Sequence, residues 1–444
     1  MKGCFLIMLT FLGYGIVITF MVLIMTKKMS AMTSLILIPV AFALIGGFSL
    51  EQIGKFCKVG IGSVAPTAAM LLFAILFFGL MINVGLFDPL VNWAIKKTKG
   101  DPVRILVATA ILAAVVSLDG DGTTTTMICC SALVPIYKKL DLKLLYLATI
   151  IILQNSIMNL LPWGGPTARI MSALNLEGGE ILRPLVPGMI LAVIYVIFVA
   201  YYLGKKERKR LGNRVFDEKA LAEISAASEA ELSDEEIALK RPKLIWVNLV
   251  LTLLVVFLLV KGTLPAVVIF EIGTALALMI NYRSLKLQRE LIEHHAGSAI
   301  QVIIMVLAAG IFMGILTESG MAQAIALSLT NLIPKSLGSH FPFITAIISI
   351  PGTFLLSNDA FYYGVLPILA KTGAAYGFTN LQIGVASCMG QAFHLLSPLV
   401  AFIYLLMQLT EVDMGEWQRH SAKWAVGIFI IFVGAAVATG AFPL

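Results

Sequence analysis

The sequence predicts an all-α polytopic membrane protein built from two inverted repeats, each of five transmembrane helices plus a re-entrant hairpin. Three observations predict it. The 444 residues are 59% hydrophobic and 13% charged, with a mean hydropathy of +0.94. Soluble chains carry about a quarter charged residues, so this one cannot clothe itself for water. Apolar runs of the roughly 20 residues that cross a ~30 Å hydrocarbon core recur along it. Finally, the order of runs and polar interruptions in the first half returns in the second.

The net charge of +7 does not indicate nucleic acid, because the basic residues border apolar runs. Cys4, Cys57, Cys129, Cys130 and Cys388 show no CxxC or metal-like spacing and read as small packing residues. The first 25 residues resemble a signal peptide. Their apolar stretch is too long for that, and no small-x-small site precedes Lys27, so they read as a membrane helix.

The first repeat, residues 1–204, opens with spans near 4–25, 30–48 and 65–84, with an amphipathic piece near 51–61. A run from 101 to 117 meets the break Leu118-Asp119-Gly120-Asp121-Gly122 and returns to 137. A run at 144–161 is broken at 162–166 (Pro-Trp-Gly-Gly-Pro), and a helix near 184–203 closes the repeat. Residues 205–243 are hydrophilic, rich in Lys, Glu, Ala and Ser, and read as a solvated cytoplasmic linker. The second repeat, 244–444, has spans near 244–260, 264–280 and 299–316, with amphipathic pieces near 284–295 and 321–332. A run from 341 breaks at Ser357-Asn358-Asp359 and returns to 370. A run at 381–396 breaks at 396–399, resumes to 409, and is followed by a last span near 421–441. Pro135/Pro367 and Pro166/Pro398 share an offset of 232.

If each polar break is the tip of a re-entrant hairpin, each half crosses five times and the second half is inverted. With both termini outside, this places 24 of the 32 Lys and Arg on the inner side and 8 elsewhere. The inner set includes Lys27, Lys28, Lys96, Lys97, Lys99, Lys138, Lys139 and the run 205–210. Positive residues belong on the inner side. Full crossings would carry Lys138 and Lys139 outside, so the re-entrant reading is preferred.

Lipid cannot satisfy free backbone groups, so irregular chain at membrane depth lines a cavity or lies buried in protein. Paired interruptions in two repeats point to a transporter's binding site; four simple Pro/Gly kinks are the alternative. Helix N-termini at such breaks suit an anion, while unwound carbonyls and side-chain oxygens suit cations. In the first tip (118–123), Asp119 and Asp121 at ~6 Å and an effective dielectric near ~20 repel by roughly 3 kcal/mol. Both ionise together only beside a cation; otherwise one holds a proton. The pair is therefore a candidate for metal or proton coupling, unless the tip reaches water and both are solvated. Thr123 and Thr124, in the run Thr123–Thr126, offer hydroxyls and N–H groups. The second tip (356–360) offers Ser357, Asn358 and Asp359. Asn159 and Gln391 precede the two helix breaks under the 232 offset, either satisfying backbone or touching substrate. Arg169 and His394 are almost the only basic groups near the centre; for Arg169 the alternative is snorkelling outward. Glu271, inside an apolar run, reads as a proton relay or a packing partner.

At these residues the chain resembles a known family. LDGDGTTT (118–125), LPWGGPTAR (161–169), LLSNDAFYYG (355–364) and HLLSPL (394–399) are similar to the citrate–divalent metal/proton symporters, the CitMHS family of the ion transporter superfamily. The resemblance spans nearly the whole chain. It implies proton-driven uptake of citrate complexed to a divalent ion across a bacterial plasma membrane. It also implies a homodimer with an INDY-like elevator mechanism, in which a mobile domain carries the site past a fixed scaffold. The first tip with Gly164, Gly165 and Thr167 forms one half-site by that resemblance, and the second tip with His394 and Ser397 forms the other. The superfamily's Ser-Asn-Thr hairpin pattern is only partial here, Asp359 following Ser357-Asn358. No tightly bound cofactor is implied; the metal travels with the substrate, and protons, or sodium, couple.

The residues agree on one point. A bare tricarboxylate wants several basic partners, whereas a metal-masked one can use three aspartates beside Arg169 and His394. On this reading Asp119 and Asp121 bind the metal or the proton, and Arg169 binds a free carboxylate. The alternatives are a cation/proton antiporter or a sodium-coupled di- or tricarboxylate transporter. A membrane enzyme is disfavoured by the lack of HExxH, GxSxG or nucleotide-binding patterns.

Overall fold

The computed structural model describes residues 2–26, 28–89, 101–211, 234–261, 263–332 and 335–443. Lys27, Lys96, Lys97, Lys99 and linker residues 212–233 lie outside the described residues. Among those described, every regular element is helical, and seven helices are long and apolar enough to cross a membrane.

The first half contains α1 (Lys2–Met25), α2 (Ala31–Ile45) and α3 (Leu50–Asn83). A hairpin follows, of α4 (Pro102–Val116) and α5 (Gly122–Lys139). Next come α6 (Leu144–Met158), α7 (Gly165–Leu174) and α8 (Gly178–Leu211). The second half contains α9 (Ile245–Lys261), α10 (Ala266–Asn281), α11 (Leu285–Glu318) and α12 (Met321–Leu332). Its hairpin pairs α13 (Phe341–Leu355) with a π-helical turn, Ala360–Val365, that runs into α14 (Leu366–Ala375). Then come α15 (Asn380–Ser387), α16 (Ala401–Thr410) and α17 (Met414–Ala438). Polar residues mark many of the starts. Ser49 and Thr379 form capping boxes with Gln52 and Gln382, and Asp101 caps α4, whose first residue is Pro102.

Two expectations change. The amphipathic pieces near 51–61 and 284–295 are not separate helices. Each is the first part of a continuous 34-residue helix, α3 or α11. The glycines along these helices form a contact surface. A Cβ on Gly60 would lie 2.8 Å from Gly314 Cα, and one on Gly310 would lie 2.9 Å from the Gly60 carbonyl oxygen. Small residues let membrane helices pack backbone to backbone. Second, the run expected at 381–396 stops at Ser387 and resumes only at Ala401, with one short turn, Gln391–His394, between. Gly390 causes this: its N–H donates to Ser349 Oγ at 2.8 Å, and its backbone lies so close to Ser349 that a Cβ would be 2.5 Å from the carbonyl. The chain is drawn onto α13 and leaves the helix.

The ends of α8 show how the hairpins enter. Arg208 bonds Asp101, which starts the first hairpin, and Arg210 bonds Asp141, just after its end. Both feet of that hairpin therefore stand at one end of α8, to which α5 returns after the tip. The feet of the second hairpin also meet, with Phe341 and Tyr376 rings 5.6 Å apart. Nearby Asn380 donates to the Leu174 carbonyl at 3.2 Å, just before the opposite end of α8. At ~1.5 Å per residue the 34 residues of α8 separate the two pairs of feet by about 50 Å.

The halves share an element order, but not at 232. α2 and α10, like α3 and α11, start 235 residues apart. α6/α15, α7/α16 and α8/α17 start 236 apart. In this register the counterpart of Gln391 is Asn155, not Asn159.

Candidate functional site

The first tip is a 3-10 turn, Ser117–Asp119, closed by Gly120 at φ 77 and followed by Asp121 as the N-cap of α5. Glycine fits Gly120 twice over. It sits in the left-handed region, and a Cβ there would stand 2.8 Å from the Trp163 ring and 3.2 Å from Gly164 Cα. Trp163 is the pin between this tip and the first helix break. Its Nε1 donates to the Leu118 carbonyl at 2.8 Å, and its ring stacks on Phe78 and meets Phe270 edge-on, both at 5.1 Å.

At that break α6 ends at Met158 and α7 begins at Gly165. Asn159 Oδ1 accepts the Gly165 N–H at 2.8 Å, so a side chain before the break caps the helix after it. Gly164 is required because its backbone lies against the Asn159 carbonyl, where no Cβ fits. The Thr167 hydroxyl donates to the Leu160 carbonyl at 2.9 Å and is fully buried.

The second tip joins the second break in the same manner. Ser357 Oγ accepts from the Ala360 N–H at 3.2 Å, and buried Ser397 donates to the Phe354 carbonyl at 2.6 Å. His394 Nδ1 lies 2.6 Å from the Thr353 carbonyl, with the residue only 4% exposed. Asn358 Oδ1 is buried with no hydrogen-bond partner.

The half-sites also reach across to each other. A Cβ on Gly122, beside the first tip, would collide with Phe402 at the start of α16. At the second tip, Asp359 Oδ1 accepts from Arg169 Nε of α7 at 2.7 Å, while Arg169 also donates to the Gly165 carbonyl at 2.8 Å. Each tip thus touches the post-break helix of the other half. Charges ~4 Å apart at an effective dielectric near ~20 attract by about 4 kcal/mol. Desolvation of both groups offsets much of that gain, and the pair is not sealed, the side chains being 23% and 19% exposed.

The two acids of the first tip differ. Asp121 Oδ2 accepts both the N–H and the hydroxyl of Thr124, each at 2.7 Å. Asp119 Oδ1 accepts the Asp121 N–H at 3.0 Å, but its Oδ2 is buried without a partner. Thr123 is exposed beside them. Behind the tip, the Asn155 amide nitrogen lies 3.4 Å from both Ser117 Oγ and Thr125 Oγ1, and its Oδ1 has no partner; nor do the Gln154 and Gln391 amides. Sequence reasoning passed over Gln154 and Asn155, although two amides inside the apolar run 144–161 were a signal. Glu271 is exposed on α10, whereas adjacent Phe270 packs on Trp163. Among the described residues no three His, Cys, Asp or Glu side chains are grouped to hold a metal. Around the two tips and two breaks the described residues offer the Arg169 guanidinium, three carboxylates, and amide oxygens of Gln154, Asn155, Asn358 and Gln391 without a hydrogen-bond partner.

A model of the family described as Citrate transporter (CitMHS) matches residues 20–390. The chain is 49% identical over 434 residues to a Bacillus subtilis (strain 168) protein named Citrate transporter, covering 98% of this chain and 99% of that one. It is 44% identical to the Mg(2+)/citrate complex secondary transporter of the same organism, covering 98% and 100%. Two solved transporters share the fold at low identity. The YdaH transporter of Alcanivorax borkumensis gives a TM-score of 0.60 at 15% identity, over 88% of this chain and 90% of that one. MtrF of Neisseria gonorrhoeae gives 0.56 at 13%, over 89% and 83%. The motifs around the two tips and two breaks therefore sit in a chain that belongs to the citrate transporter family.

Proposed function

We propose that this protein is a secondary active carrier that takes up citrate as its divalent metal complex, coupled to protons, across a bacterial plasma membrane. The observation that carries this reading is the Arg169–Asp359 pair. A cation and an anion, both partly open, meet where a tip and a helix break join, and suit a ligand bearing both signs of charge. The name of the 44% identical relative supports the metal complex as substrate. Asp119 is the coupling group in this reading, because its Oδ2 needs a proton or a cation in order to be buried alone. Sodium at the same oxygen is the second reading.

Hairpins whose feet stand at opposite ends of α8 support two inverted repeats, 1–204 and 244–444, joined by a cytoplasmic linker with both termini outside. The hairpins and broken helices form the moving body of an elevator in this scheme. In the same scheme the long paired helices α3 and α11 belong to the scaffold, which pairs in a homodimer. The test is uptake of labelled citrate into vesicles with Mg²⁺ or Ca²⁺, or with a chelator, under an imposed pH gradient. Metal-dependent uptake that follows the gradient is expected. Equal uptake with chelator discards the complex as substrate, and a response to sodium alone moves the coupling to that ion.

A further inference from the structure

We propose that the Arg169–Asp359 ion pair is the selectivity element for a metal–carboxylate complex: the complex opens the pair, its free carboxylate taking Arg169 and its metal taking Asp359. This deepens the reading above and rests on it.

Four observations carry it. The pair joins residues 190 apart, one on α7 and one on the second tip, through a single Nε–Oδ1 bond of 2.7 Å. It is reachable by a ligand, at 23% and 19% exposure, while neighbouring Tyr362, Tyr363 and Thr167 are buried. The hydrogen bond to Asp359 uses Oδ1 and leaves Oδ2 for a ligand, and Asn358 next to it has a buried Oδ1 with no partner. Oxygen donors of this kind suit Mg²⁺ or Ca²⁺. Lastly, no group of three acidic, His or Cys side chains can hold an ion among the described residues, so a metal at Asp359 brings most of its ligands with it.

Selectivity follows from what each incomplete ligand leaves behind. Bare citrate takes Arg169 and strands the Asp359 carboxylate beside a second anion. A bare metal ion takes Asp359 and strands the guanidinium beside a second cation. A half-buried charge left without a partner is strongly unfavourable, so both are rejected. The complex satisfies both partners at once. The carrier then needs no separate metal site to refuse the free acid.

The experiment is equilibrium binding of labelled citrate to the purified full-length protein in detergent, with excess Mg²⁺ and with EDTA. The unmutated protein is expected to bind at least about tenfold more tightly with Mg²⁺. Asp359→Asn frees Arg169, and is expected to tighten binding of bare citrate and shrink the Mg²⁺ preference to under about threefold. Should Asp359→Asn not fold with Arg169 left unpaired, the double variant Arg169→Gln/Asp359→Asn carries no stranded charge. It is expected to bind both forms weakly with a preference near unity. A wild-type Mg²⁺ preference in either folded variant overturns the proposal, as does a folded Asp359→Asn protein that gains no affinity for bare citrate. Absence of a Mg²⁺ preference in the unmutated protein is a different failure, that of the metal–citrate reading itself.

Discussion

The main-chain N–H of Asp121 donates to Oδ1 of Asp119 at 3.0 Å, and the two acids of the first tip are held differently. Asp121 turns outward and caps α5 through Thr124, whereas Asp119 keeps a buried oxygen without a partner. Asp119→Asn is therefore expected to abolish uptake driven by a pH gradient while sparing citrate counterflow, which needs no net proton movement. Asp121→Asn keeps a good cap. Asp121→Ala loses about 1 kcal/mol of stability, read as a lower unfolding temperature in detergent. An Asp119→Asn carrier that still answers the pH gradient like the parent removes Asp119 from coupling.

Trp163 joins the first tip to the first break, and Trp163→Phe separates its two contributions. The ring contacts with Phe78 and Phe270 persist, while the bond to the Leu118 carbonyl is lost. A lost hydrogen bond of this kind weakens the arrangement by about 1 kcal/mol, roughly a fivefold change in an equilibrium. The expected result is an apparent KM for citrate raised severalfold with little change in the amount of folded protein. An unchanged KM would mean that the tip holds its place without the tryptophan.

Gly60 and Gly62 lie two residues apart on α3 and face different surroundings. A Cβ on Gly60 would run into Gly310 and Gly314 of α11, whereas nothing lies within 4 Å of one on Gly62. Gly60→Ala is expected to destabilise by about 1–3 kcal/mol, as overpacking does, and Gly62→Ala to be neutral or slightly stabilising. Thermal unfolding of the two purified variants side by side decides it. Equal midpoints would show that α3 and α11 part without cost.

These same glycines show where the sequence could be read and where it could not. Long apolar runs, the polar tips and the Pro-Gly break at 162–166 announced themselves, because lipid forces helices to be apolar and interruptions to be purposeful. Gly60, by contrast, carries no signal in one dimension and becomes a close contact only once α11 is beside it. Pro135 lies inside α5, Pro166 and Pro367 open helices and Pro398 precedes one, so the prolines hold no common place in the elements, whereas five pairs of helix starts kept a register of 235–236; that difference hid the match of Asn155 with Gln391. The early end of α15 follows from Gly390 meeting Ser349, a contact between residues far apart in the chain. Arg169 and Asp359 each stood out as charges in apolar surroundings. Their pairing links the two halves, and no local pattern encodes it.

The feet of the hairpins give a last prediction, one about sidedness. Asp141 and Glu411 belong to one end of the molecule, since Arg210 of α8 bonds Asp141, and Glu411 takes Lys138 from the foot of α5 at 2.6 Å. Glu177 and Thr379 belong to the other, next to Leu174 and Asn380, which bond at 3.2 Å. All four positions are exposed. With the native cysteines replaced, single cysteines at Asp141 and Glu411 are expected to react with a membrane-impermeant maleimide only in inside-out vesicles. Those at Glu177 and Thr379 should react only in intact cells. The ion pair of Lys138 and Glu411 is exposed and worth at most about 1 kcal/mol, so its loss in the labelling variant does not disturb the fold. Asp141 and Glu177 stand at opposite ends of α8, so cysteines at these two positions labelled from the same side of the membrane would contradict this sidedness.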